Sequence, residues 1–297
     1  MDLIALSDPH TDINSARNDK SFISSLMQYI NNLEGDILLI TGDIAGSTKE
    51  LIRFFKESTK LNVKYKLFVP GNHDVWVNKD FSNGSEIKYL EILPEIARQF
   101  NWHYLPETPF IIDNISIIGE MGWYDYSTRN MDFDNIIDFE TYANKINPKT
   151  NSTWMDKHFA NFGIKSDQEI TDFFVQRMTK HLQNINVFTG QNQHNTNIDT
   201  VVIGSHFVPF IDFVTHINDL SWDYFSAFIG SIKIGNCIEK INPIYRRIAI
   251  FGHTHHQKIK INQDIEKYCV PIGYPHEYGE TKPLDEVFNN HIKIINV

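Results

Sequence analysis

Cysteine is scarce: the chain has two, Cys237 and Cys269, in 297 residues. They form neither a Cys-x-x-Cys pair nor a disulfide framework, which excludes a stapled secreted scaffold and points to a reducing compartment. Long apolar runs are also missing. No stretch approaches the ~18 apolar residues that span a bilayer, and runs such as Ile37–Ile40 and Val201–Ile203 are strand-sized. The amino end lacks a basic segment followed by an apolar core, so no export signal is expected. Met1–Leu6 reads as a buried strand directly ahead of Asp8, leaving no room for a leader, and a cytoplasmic enzyme is the expectation. Positive charge is in short supply: 27 Lys and Arg against 37 Asp and Glu give a net −10. That argues against an extended nucleic-acid surface built on counterion release. It does not exclude a small phosphorylated ligand held by a local cluster of cations. With 41% hydrophobic and 22% charged residues, wholesale disorder, collagen and coiled coil are excluded.

What the sequence does have is a repeated order of apolar strand, polar turn and helix. Leu3–Leu6 ends in Ser7-Asp8-Pro9-His10, Asp36–Ile40 in Thr41-Gly42-Asp43, and Tyr65–Val69 in Pro70-Gly71-Asn72-His73-Asp74. Apolar residues at helical spacing follow each one. They are Phe22, Leu26, Tyr29, Ile30 and Leu33, then Leu51, Phe54 and Phe55, then a stretch over about 85–100. Ser47 and Glu50 read as a capping box for the second of these helices. Strands alternating with such helices predict an α/β fold with crossover connections. Phe110–Ile112 and Ile115–Ile118 predict a hairpin around Asp113-Asn114. Residues from about 125 to 197, rich in Asn, Asp, Thr, Lys and aromatics, read as a mostly helical, cap-like insertion in a single domain, 1–297, with a helix over Gln168–His181. Strand logic resumes at Thr200–Ile203, ending in Gly204-Ser205-His206, and at Arg247–Phe251, ending in Gly252-His253-Thr254-His255. The spacing between them predicts one helix over about 223–241, and the tail reads as short strands.

Five strands thus end in clusters of Asp, Asn and His, and open α/β sheets bind ligands at the carboxyl ends of their strands. Taken singly, Asp8-Pro9-His10 and Gly42-Asp43 are ordinary turn chemistry, and a lone His206 is unremarkable. Taken together, the clusters offer hard oxygen and imidazole, the ligands of Mn, Fe, Zn or Ni rather than of Cu(I) or Fe–S clusters. The set is too large for one tetrahedral ion. It suits two ions sharing a carboxylate, the clamp used for in-line displacement at phosphorus.

In this order, Asp8-Pro9-His10, Gly42-Asp43, Gly71-Asn72-His73-Asp74, His206 and Gly252-His253-Thr254-His255 resemble the signature of the calcineurin-like metallophosphoesterases. The resemblance implies a four-layer α/β/β/α sandwich of two mixed β-sheets flanked by helices. It implies one metal held by Asp8, His10, Asp43 and His255, and a second held by Asp43, Asn72, His206 and His253, with Asp43 bridging. A hydroxide between the two divalent ions would attack phosphorus in line. Mn or Fe is expected ahead of Zn, Ni or Mg. His73 is implied as a phosphate ligand or general acid, Asn72 as a second substrate contact, and Asp74 as the group that orients His73. His206 is preferred to nearby His216 because it directly follows a strand. His103, His158, His181, His194, His216, His256, His276 and His291 are read as structural or surface residues.

The function this implies is metal-dependent hydrolysis of a small phosphomonoester or phosphodiester, such as a nucleotide, with no membrane partner. The rivals are a phosphoprotein phosphatase or nuclease of the same family, a single-metal structural site, and a non-catalytic scaffold, against which every ligand position is filled. Trp123 and Tyr124 are candidates for stacking on a substrate base, and Arg129 for pairing with phosphate. The alternative is that these aromatics pack the insertion onto the sheet.

Overall fold

Alternation along each central strand sends its side chains into two different cores. In β1 (Asp2–Leu6), Leu3 and Ala5 face one core and Ile4 and Leu6 the other. The computed structural model describes residues 1–17 (without the Arg17 side chain), 21–77, 83–189, 195–261 and 264–297. Beside β1 lie β2 (Ile37–Thr41), β3 (Tyr65–Val69) and β4 (His103–Tyr104), all parallel. The second sheet has a parallel centre of β6 (Ile115–Glu120), β7 (Thr200–Ser205), β8 (Arg246–Phe251) and β10 (Glu266–Cys269). Antiparallel edges are added by β5 (Phe110–Ile112) on β6 and β9 (Lys258–Lys260) on β10. In the first sheet β11 (Lys293–Asn296) pairs antiparallel with the free side of β1.

The sheets pack face to face through Leu3, Ala5, Leu39, Leu67 and Val69 from one and Ile117, Val202, Ile248 and Ile250 from the other. The outer face of the first sheet is covered by helices Phe22–Asn31, Thr48–Glu57 and Leu284–His291, through Phe22, Leu26, Leu51, Phe54, Phe55 and Phe288. That of the second is covered by helices Asp167–Asn184 and Ile232–Glu239, through Met178, Leu182, Ile234 and Ile238. The result is the four-layer sandwich. Each such buried apolar side chain contributes about 1.5–3 kcal/mol of transfer free energy. Where the carboxyl ends of the sheets meet, Gly119 permits close approach: a Cβ there would lie 2.3 Å from Val69 Cγ2.

Local chemistry sets the helix starts. The Ser47 hydroxyl accepts the Glu50 N–H, while the Glu50 carboxylate pairs with Arg53. At the long helix Asp167–Asn184, Ser166 and Glu169 form a full reciprocal capping box. This helix lies in the crossover between parallel β6 and β7, so the Asp167–Asn184 part of the 125–197 segment belongs to the outer helical layer.

The structure departs from the sequence reading in two places. The single helix expected over 223–241 is divided into Leu220–Asp223, a 3-10 turn Phe225–Phe228, and Ile232–Glu239. The break follows from Gly230, which pairs with Val208 so closely that a Cβ would lie 2.0 Å from the Val208 carbonyl oxygen. Ser231 is then extended and caps the next helix. In the tail, residues read as strand or connection form the helix Leu284–His291, with Val287 and Phe288 buried, and the last strand starts only at Lys293. Among the described residues, no helix is long and apolar enough to cross a membrane.

Candidate metal centre

The turns that leave β1, β2, β3, β7 and β8 meet in one place between the sheets. Backbone bonds lace them together: the Asp8 N–H donates to the Gly42 carbonyl, the His10 N–H to that of Asp43, and the Gly252 N–H to that of His206. The turns are sharp. Asp8 (φ 53°), His10 (φ 35°), Asp43 (φ 54°), His253 (φ 71°) and His255 (φ 54°) are all in the left-handed region, which is costly for residues with a Cβ. Packing is so close that a Cβ on Gly252 would lie 2.0 Å from Asp8 Oδ2.

The side chains converge around Asp43. Its Oδ2 lies 3.7 Å from His10 Nε2 and its Oδ1 3.4 Å from His206 Nε2. On the first side, His255 Nε2 is 3.3 Å from Asp8 Oδ1 and 3.0 Å from His10 Nε2. On the second, His206 Nε2 is 3.1 Å from both Asn72 Oδ1 and His253 Nδ1. The groups Asp8/His10/His255 and Asp43/His206/His253 each bring their ligand atoms together tightly enough to hold one ion, as do His10/Asp43/His73.

The outward ring nitrogens explain why the inward ones converge. Those of His206, His253 and His255 meet the Thr41 carbonyl, the Phe228 carbonyl and the Glu277 carboxylate respectively. Donation outward leaves a lone pair inward on each ring. With the oxygens of Asp8, Asp43 and Asn72, the interior becomes a ring of acceptors that only cations can satisfy. Protons do this in the protein alone. Burial opposes charge on His206, but Asp43 and Asp8 raise it to about 9. Against the same opposition, bonds to Asp8 and Glu277 raise His255 to about 10. Burial and the His206 charge lower His253 to about 3. Burial would raise both Asp8 and Asp43, yet the surrounding imidazoles, His206 foremost, hold each below the usual carboxylate range. The donor set is hard oxygen plus imidazole and fits a divalent transition metal.

His73 stands at the edge of this cluster, its Nε2 3.8 Å from Asp43 Oδ2 and its ring stacked 3.6 Å from that of Trp76. Asp74 does not orient it, contrary to the expectation. The Asp74 carboxylate accepts the backbone N–H groups of Ile44, Ala45 and Gly71 and so ties the β2 turn to the β3 turn. Two residues that sequence reasoning missed do touch the candidate ligands. Glu277 holds His255 at 2.8 Å. Asp156 is buried and accepts from Asn72 Nδ2 (2.9 Å) and from the indoles of Trp76 (2.6 Å) and Trp154 (2.8 Å). A carboxylate can only accept there, so Asp156 turns the Asn72 amide to present its oxygen to the cluster. Asp156 lies 84 residues from Asn72 and Glu277 22 residues from His255, and no local pattern marks either.

A cavity of about 430 Å³ opens on the cluster. Asp43, Asn72, His73, His253 and His255 line it together with the apolar surfaces of Trp76, Trp154, Phe225, Ile229 and Tyr274. Among the described residues, no Lys or Arg lines it. Trp123 and Tyr124 are not on its wall. They are buried at 1% and 0% exposure, stacked on each other, with the Trp123 indole bonded to Asp167, so the aromatic pair packs the core. Arg129 is engaged by Asp134 through two hydrogen bonds. His216 bonds the Thr128 carbonyl away from the cluster, and His194 lies outside the described residues.

A family model described as calcineurin-like phosphoesterase matches residues 1–257. A UPF0046 protein of Caenorhabditis elegans is 37% identical over 67 residues, covering 21% of this chain and 23% of that protein, so the match spans less than a quarter of that relative. An uncharacterized protein of Acanthamoeba polyphaga mimivirus is 24% identical over 306 residues, 98% of each chain. Among solved structures, the phosphopantetheinyl hydrolase of Mycobacterium tuberculosis aligns with a TM-score of 0.71 at 18% identity, over 99% of this chain and 95% of that one. At that identity the likeness is one of fold.

Proposed function

The chain belongs to the calcineurin-like phosphoesterases, metal-dependent hydrolases of phosphoester bonds, and on that premise we propose that it holds two divalent cations bridged by Asp43 and hydrolyses a small phosphoester. The observation that carries this is the division of Asp43: one oxygen faces His10 and the other His206. Asp8, His10 and His255 would complete one ion's ligands, and Asn72, His206 and His253 the other's. The bound cations supply Lewis acidity toward a phosphoryl oxygen and lower the pKa of the attacking water. Hydrolysis forms a bond from a water oxygen to phosphorus and breaks the bond to the ester oxygen, which takes up a proton. His73 faces the cavity beside the cluster. Burial lowers its pKa, so at neutral pH its ring carries one N–H to donate to a phosphoryl or departing oxygen.

The same reading treats residues 1–297 as one unit, in which the 125–197 segment supplies a wall of the site through Trp154 and Asp156. It places the protein in the cytoplasm, supported by two free, buried cysteines, and expects no nucleic-acid or membrane partner. Mn or Fe remains the first expectation for the metal.

Metal analysis with and without Asp43→Asn tests the proposal. The wild type should carry about two cations per chain and cleave an aryl phosphate or its bis-ester. The variant should carry one or none and lose at least about 10³-fold in turnover. One cation per chain with full activity would overturn the shared carboxylate. Two cations without hydrolysis of either ester would return the scaffold reading.

A further inference from the structure

We propose that a second cavity, next to the metal pocket, receives an apolar arm of the substrate. The proposal rests on the phosphoesterase reading above and deepens it. The second cavity measures about 350 Å³ and is lined by Phe213, Val214, Trp222, Phe225, Ile229 and His256, among others. Phe225, Ile229 and Thr254 line both cavities. Phe225 opens the 3-10 turn Phe225–Phe228 and Ile229 directly follows it, and both are half-buried, so they form a low ridge. Thr254 lies between His253 and His255, so the turn that offers two imidazoles to the metals is also the floor between the cavities. A molecule with phosphorus at Asp43 therefore has a short route over that ridge.

The walls select the arm. Trp222 is 47% exposed, yet its indole N–H bonds the Thr215 carbonyl, which fixes the ring at the cavity mouth. Among the described residues, neither cavity is lined by Lys or Arg. The ammonium groups of Lys258 and Lys260 sit over the Phe213 ring, 5.3 and 5.5 Å from its centre, outside the lining, where Lys258 donates to the Asp212 backbone carbonyl and Lys260 to its carboxylate. An apolar arm leaves water without burying a charge.

Three p-nitrophenyl esters assayed with Mn²⁺ test the inference: the methyl diester, the hexyl diester and the plain monoester. The hexyl diester should exceed the methyl diester in kcat/KM by at least about tenfold. That ratio should fall toward one in Trp222→Ala, which removes the mouth, and in Thr215→Trp, which fills it from the surface. A wild-type ratio near one, or a ratio untouched by both variants, would overturn the arm site. Failure to cleave any of the three would remove the phosphoesterase reading itself, and this proposal with it.

Discussion

His73 shows how much one side chain's neighbours constrain its work. It is flanked by Trp76 on one face and His10 at 4.7 Å, and reaches toward Asp43 without joining the tightest ligand contacts. His73→Ala is therefore expected to retain metal, measured by elemental analysis, while kcat falls by about 10²–10⁴-fold. Loss of both ions in that variant would make His73 a ligand instead. Its neighbour Asp74 has a different task, since three backbone N–H groups end on its carboxylate. Removing that carboxylate would leave buried donors unpaired, a cost of about 1–3 kcal/mol for each such group. Sequence alone could not separate the two roles, because adjacent residues in a tight turn point in different directions.

At the scale of the elements, strand-turn order was the informative signal. The strands carrying the candidate ligands lie within one or two residues of the segments marked by apolar runs. This is because a parallel strand buried on both faces needs an uninterrupted apolar stretch. Legibility ended where a contact distant in sequence decided the outcome. The 223–241 helix was broken by Val208 pressing on Gly230, and the asparagine of the third turn was oriented by Asp156. At Trp123 and Tyr124, a place just past a strand end allowed either stacking on substrate or packing, and the structure turns both rings into the core. Gly230→Ala is expected to destabilise the protein by about 1–3 kcal/mol through overpacking against the Val208 carbonyl. Urea unfolding checks this: the midpoint should drop with an unchanged slope.

For the whole molecule, the candidate ligands are split between the two sheets: Asp8, His10, Asp43 and Asn72 follow strands of one, His206, His253 and His255 strands of the other. Cations bound there join the layers, and at a thousandfold excess over Kd each would stabilise the fold by about 4 kcal/mol. Chelation should accordingly lower Tm, with recovery on adding Mn²⁺. The size of the drop depends on pH. His206 and His255 have pKa values raised to about 9 and about 10, so their protonation stabilises the metal-free fold fully below about 6.5, and that contribution is lost as pH rises through the raised values. Metals must displace those same protons, so the gap in Tm between loaded and chelated protein should widen from pH 6 to pH 9; scanning calorimetry at both would show a constant gap if the assignment were wrong. The left-handed backbone at Asp8, His10, Asp43, His253 and His255 has a further effect on how such a chain can change. Glycine relaxes that geometry at no steric expense; at His10, whose buried Nδ1 meets no partner among the described residues, heat-resistance selection run in chelator would enrich inactive glycine clones, and only selection that also demands turnover would keep the imidazole.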